Sequence, residues 1–236
     1  MGASHQFPTT QWSLILSIQD EPSGKLDREG VEKFCRDYWP PVARFLRSVG
    51  LSHEDAEDIA QEVFTQLHAG EQFPEINPAK GRMRSFLMTI AKRQAIGFFR
   101  KQQTQKRGGG QSHISLETEG FECPDLRGTE QAYDRSWALQ LIDLTTKELR
   151  LQYEQRNRLH QFETLFPKIA APEEAGSYQE VAAKLNTSEG SVRTGIHRMK
   201  QKYQKILRAE VAKTVASPEE IDSELLALFD ALGHAS

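Results

Sequence analysis

The chain has 236 residues, enough for one large domain or two small ones, each with a buried core. With 38% hydrophobic and 27% charged residues and apolar runs of only a few residues, the composition excludes wholesale disorder and a bilayer-spanning helix. The net charge of -3 conceals a strong segregation of sign along the chain.

The opening "MGASHQFPTTQW" lacks the basic-then-apolar order of a secretory signal, so a cytoplasmic location without a membrane partner is the expectation. Cys35 and Cys123 lie far apart, with no CxxC and no metal-type histidine spacing, so neither a disulfide nor a metal or other cofactor is expected. Helical 3.6-residue periodicity recurs almost everywhere and sustained strand alternation does not, which predicts an all-α protein.

In chain order, "FPTTQWSLILSI" predicts a short helix capped by Thr9 or Thr10. Phe34, Tyr38, Trp39, Val42, Phe45 and Leu46 mark a second, expected to be interrupted at Pro40-Pro41. Ser52 is positioned to cap a third. There Ala56, Ile59, Ala60, Val63 and Leu67 form an apolar stripe, while Asp55, Asp58, Glu62 and Thr65 line another face. Residues 53 to 75 carry seven carboxylates and no Lys or Arg.

Residues 80 to 107 reverse the sign, with nine Lys and Arg and no carboxylate. Phe86, Leu87, Ile90 and Ala91 can reach a core from this helix, while Arg84, Lys92, Arg93, Arg100 and Lys101 are expected to extend outward. Such charge suits nucleic-acid phosphates, and Phe86, Phe98 and Phe99 could stack on bases, although core packing is the commoner role of such rings. Gly108-Gly109-Gly110 ends the first domain, and the acidic stretch to about residue 135 reads as a flexible linker. Helical spacing resumes from Trp137 to Phe166.

"SYQEVAAKLNTSEGSVRTGIHRMKQKYQKIL" is the most interpretable stretch. Ser177 and Glu180 form a capping box, Asn186-Thr187 supplies a turn, and Ser188 caps a longer helix. Val192, Ile196, Met199, Tyr203 and Ile206 fall on its buried stripe, leaving Ser191, Arg193, Thr194, His197, Arg198 and Gln201 outward. This is the pattern of a helix-turn-helix that presents its second helix to the major groove. Beyond it, Ser217-Pro218-Glu219-Glu220 starts a last helix, whose stripe of Ile221, Leu225, Leu228, Phe229 and Leu232 is expected to pack on the second domain.

No catalytic constellation is present. The triple glycine lacks a following GK[ST], His53-Glu54 has no second histidine four residues on, and no serine sits in a nucleophile elbow, so the chain is not expected to be an enzyme.

"DAEDIAQEVF", followed by "RSFLMTIAKRQAIGFFRKQQTQKR" and then by "YQEVAAKLNTSEGSVRTGIHRMKQKY", resembles the sigma factors of bacterial RNA polymerase, in particular the extracytoplasmic-function class. The resemblance implies two helical domains joined by a flexible linker. Residues 1–108 would be a region-two-like domain, 109–135 the acidic linker, 136–215 a region-four-like helix-turn-helix domain, and 216–236 a C-terminal helical extension. It implies that Asp55, Asp58, Gln61 and Glu62 dock on core RNA polymerase. Arg84, Lys92, Arg93, Arg100 and Lys101 would hold the opened minus-ten element of promoter DNA. Ser188, Ser191, Arg193, Thr194, His197 and Arg198 would meet the minus-thirty-five element. An anti-sigma factor or a regulatory kinase remains open as a further partner. The competing reading is a helix-turn-helix regulator that binds duplex operator DNA without initiating transcription.

Overall fold

The computed structural model describes residues 28–68, 82–106 and 129–233, and these residues are helical with short turns and no strand. The capped helix expected near Thr9, the loop before the basic helix, the triple glycine and most of the acidic linker lie outside the described residues. The chain divides into two compact units: residues 1–140 with 212–236, and residues 141–211.

The first unit is built on α1 (Arg28–Ser48), α2 (His53–His68) and α3 (Met83–Lys106). Helix α1 runs through Pro40 and Pro41, where the sequence predicts an interruption. Its buried side is continuous across them, with Phe34, Tyr38, Pro41, Val42, Phe45 and Leu46 all inside, and that burial outweighs the hydrogen bonds two prolines remove. The helix ends at Gly50 with φ 97°, where the Gly50 N–H donates to Arg47 O and the Leu51 N–H to Leu46 O, a Schellman closure that only glycine enters without strain.

Helix α4 (Thr129–Glu154) begins before Trp137, inside the stretch the sequence assigns to the linker. Its first turns belong to the first unit because they carry aromatic side chains into it. Trp137 stacks on Tyr38 at 4.8 Å between centroids, and Tyr133 meets Phe45 edge-on at 5.5 Å. Both Tyr133 and Trp137 are fully buried.

The second unit comprises the rest of α4, α5 (Leu159–Leu165), α6 (Pro167–Ala170), α7 (Tyr178–Lys184) and most of α8 (Glu189–Ala212). Its core joins Leu149, Tyr153, Phe162 and Leu165 to Val181, Ala182, Val192, Ile196, Met199 and Ile206. From Ala212 the chain returns to the first unit. The Met83 N–H at the start of α3 donates to Thr214 O at 2.9 Å, and Thr214 and Val215 are buried.

The last helix, α9 (Glu220–Gly233), therefore belongs to the first unit and not to the second. Leu228 is the buried member of its apolar stripe, Ile221, Leu225 and Leu232 are half-buried, and Phe229 is exposed. The deciding residue is Glu224, which has 0% exposure and meets two arginines at the start of α3.

Candidate nucleic-acid interface

The acidic face of α2 forms as its spacing predicts. The Ser52 Oγ accepts from the Asp55 N–H at 3.1 Å and donates to Asp55 Oδ2 at 2.6 Å, so Asp55 is engaged in capping its own helix. Asp58, Gln61 and Glu62 are exposed, and with Thr65 and Gln66 they line a shallow depression. Trp39 Nε1–H donates to Glu57 Oε2 at 2.6 Å and fixes this face relative to α1.

Across from it, Gln94 of α3 donates to Gln66 at 2.8 Å. The buried side of α3 is Met83, Leu87, Ile90, Ala91 and Ala95. Arg93 and Lys101 are exposed, Arg100 is half-buried, and Lys92 is half-buried and paired with Glu130. Phe86, Phe98 and Phe99 are all half-buried, the last two edge-on to each other at 5.9 Å.

Arg84 departs from expectation. It is 8% exposed and does not extend outward. Its Nε donates to Glu224 Oε1 at 2.7 Å, and its Nη1 pairs with Asp134. Arg82 lies beside it, with Nε 2.8 Å from Glu224 Oε2 in an ion pair off the hydrogen-bonding direction, and Nη2 donating to Ser223 Oγ at 3.1 Å. Burial opposes the charge of Arg84, yet Glu224 and Asp134 outweigh it and hold the guanidinium more firmly protonated than usual. Burial, followed by the charge of Asp134, pushes the neighbouring Tyr133 phenol well above its ordinary range.

In the second unit α7 and α8 form with the expected caps. Ser177 Oγ accepts from the Glu180 N–H while Glu180 Oε2 accepts from the Ser177 N–H, a closed capping box at the start of α7. Asn186, with φ 49°, ends that helix. The Thr187 N–H donates to Ala182 O and the Asn186 N–H to Ala183 O, which turns the chain into α8. Ser188 Oγ then accepts from the Ser191 N–H at 3.2 Å.

Val192, Ile196, Met199 and Ile206 are buried and Tyr203 is half-buried. Ser188, Ser191, Arg193, Thr194, His197, Arg198 and Gln201 are all exposed, so the predicted stripe and its opposite face both form. The Thr194 hydroxyl donates to Gly190 O at 3.0 Å, and its oxygen keeps lone pairs with which to accept. A Cβ on Gly195 would come within 3.1 Å of Leu165 Cδ1, which marks how closely α8 approaches α5.

Sequence reasoning missed the residue that holds Arg193. The Arg193 guanidinium lies 4.3 Å from the ring centroid of Tyr178, the first residue of α7, and Lys168 Nζ approaches the same ring to 5.0 Å. Lys168 also donates to Gly176 O, tying the loop before the capping box to α6. An aromatic directly after a capping serine was the available signal, but its partner lies fifteen residues on and periodicity within one helix does not reveal it.

Among the described residues no group of His, Cys, Asp and Glu is arranged to hold a metal ion, and no helix is long and apolar enough to cross a membrane. Residues 34–105, which make up most of α1 to α3, match the family model of sigma-70 region 2. The match covers under a third of the chain and lies within the first unit. No curated protein and no solved structure matches the chain.

Proposed function

We propose that the chain is a sigma factor of the extracytoplasmic-function class, which joins core RNA polymerase and directs initiation by reading a minus-thirty-five element and opening a minus-ten element. One observation carries the reading: in addition to a segment that matches sigma-70 region 2, the chain has a second unit in which α7, with its capping box, turns tightly into α8, and α8 keeps its polar and cationic face exposed.

In this reading Asp58, Gln61 and Glu62 are the polymerase-facing side of α2, and Asp55 serves mainly to cap it. Arg93, Arg100 and Lys101, with Lys92 once released from Glu130, neutralise phosphates of the separated strand. Arg84 acts from within the fold and touches DNA only if its carboxylate partners withdraw.

Arg193, Thr194 and Arg198 face base edges and phosphates of the upstream element, while Ser188, Ser191 and His197 flank them. The guanidinium fork gives arginine its selectivity for guanine and phosphate. Energy for strand opening comes from binding, with no hydrolysis step.

Run-off transcription with core polymerase tests the proposal. Promoter-specific transcripts that require the protein are expected, and tight binding to duplex operator without any such transcripts would refute it. Sequencing the transcripts then gives the promoter.

A further inference from the structure

Residues 80 to 107 contain no carboxylate, so any side-chain counter-ion for the cations of α3 has to arrive from elsewhere in the chain. Among the described residues two elements deliver them. Glu224 of α9 meets Arg82 and Arg84, while Asp134 and Glu130, one turn apart at the start of α4, meet Arg84 and Lys92. All three carboxylates lie outside residues 34–105, the segment that matches sigma-70 region 2. As α4 advances from Glu130 to Asp134, the partners on α3 step back from Lys92 to Arg84, so the first turns of α4 run along α3 in the opposite sense.

The two ends of this row differ in kind. Arg84, 8% exposed, and Glu224, 0% exposed, form a desolvated pair whose disruption would leave a buried charge uncompensated, so it is a fixed part of the fold. Lys92 and Glu130 stand at the rim, with side chains 22% and 61% exposed. A pair so open to water contributes little, and another anion can displace it. Yet the carboxylate stays close by. Tyr133 and Trp137, on the same turns of α4, are fully buried against Phe45 and Tyr38 and keep Glu130 beside Lys92 at a high effective concentration.

An anion that approaches Lys92 therefore meets a tethered rival. We propose that Glu130 is a built-in competitor of the nucleic-acid strand for Lys92, which keeps the strand affinity of the free chain low until the carboxylate is displaced. The proposal rests on the assignment of α3 to strand binding and adds to it a restraint supplied by α4. The exchange makes and breaks no covalent bond: a phosphodiester oxygen takes the place of a carboxylate oxygen in one charge-assisted hydrogen bond to the Lys92 ammonium. Because Glu130 is exposed, its removal should leave the fold intact, which Glu224 and Asp134 continue to secure.

The test measures binding of a short mixed-sequence single-stranded oligonucleotide by the full-length protein across salt concentrations. Glu130→Gln should raise affinity roughly two- to fivefold at low salt and steepen the slope of log affinity against log salt by up to about 0.7, the share of one strand phosphate. Adding Lys92→Gln to it should abolish that gain. Glu32→Gln removes the same charge from an exposed position on α1 and should give no comparable gain.

An unchanged affinity and slope in Glu130→Gln overturn the proposal. So does a gain that survives Lys92→Gln, or an equal gain from Glu32→Gln, because either result traces the effect to net charge alone. Arg93→Ala, Lys101→Ala separates this failure from that of the underlying assignment. If it weakens strand binding while Glu130→Gln does nothing, only the competitor falls; if it too changes nothing, α3 does not bind the strand and both readings fall.

Discussion

Glu224 and Arg84, separated by 140 residues, meet at 2.7 Å inside the first unit, where neither is appreciably exposed. The carboxylate also faces Arg82, so one buried anion ties the last helix to two cations at the start of α3. Removing one partner of a buried ion pair leaves charge without compensation, and this costs far more than the intact pair contributes. Glu224→Ala is therefore expected to destabilise the first unit by about 3 kcal/mol. Urea unfolding followed by tryptophan fluorescence, in a Trp12→Phe background that leaves Trp39 and Trp137 of the first unit, measures it, and an unchanged midpoint would contradict the role assigned to Glu224.

Removal of residues 217–236 takes away both Glu224 and the buried Leu228. Hydrogen exchange should then accelerate in α1 to α3 and remain slow in α7 and α8. Acceleration confined to the second unit would return the last helix to the place its sequence suggested.

Arg93 and Lys101 are exposed cations among the described side chains of α3, so on the proposed function Arg93→Ala, Lys101→Ala should reduce capture of an opened minus-ten strand about tenfold at moderate salt. Polymerase affinity should stay constant. Permanganate reactivity of melted thymines reports the first quantity and co-sedimentation the second; equal losses in both would show that these cations serve docking.

Arg198→Ala should cost about 1 to 3 kcal/mol in discrimination between the promoter and a scrambled upstream element if the contact is bidentate to a base. On the proposed function Tyr178→Leu should give a smaller loss of the same kind, about 0.5 to 1 kcal/mol, because the ring 4.3 Å from the Arg193 guanidinium orients it. Tyr178→Phe keeps the ring and should bind like wild type. Competition binding with the two duplexes distinguishes all three variants.

Burial, opposed by a backbone hydrogen bond and reinforced by Glu32, raises the Cys35 thiol above its ordinary range. In a Cys123→Ser background, alkylation of Cys35 at pH 8 should be slower than that of a free thiol and should rise with pH. The linked stability has a definite sign: as pH climbs past the ordinary thiol range the unfolded chain loses its proton first, so the folded state is weakened there. Alkylation as fast as in the denatured protein would contradict it.

The helices α7 and α8 and the turn between them were legible because their signals are local. A capping box, an asparagine turn and one apolar stripe each lie within one helix or one turn, and all three form. Arg84 was misread for the complementary reason. Helical spacing says which side of α3 it occupies but not that Glu224 and Asp134 arrive from distant segments to bury it. Pro40-Pro41 illustrates tertiary packing overriding local propensity, since the aromatic side chains on either side are buried together. The apolar stripe of α9 announced that the helix would dock, while the identity of its host depended on a single buried carboxylate.

The discontinuous make-up of the first unit also bears on the order of events during synthesis. Its N-terminal helices leave the ribosome well before Glu224 is translated, and everything from Leu141 to Val211 is made in between. Domains made first ordinarily mature first. Here the inserted second unit can be complete while Arg82 and Arg84 still await their counter-ion, so α1 to α3, though translated first, should be the last to reach their native state.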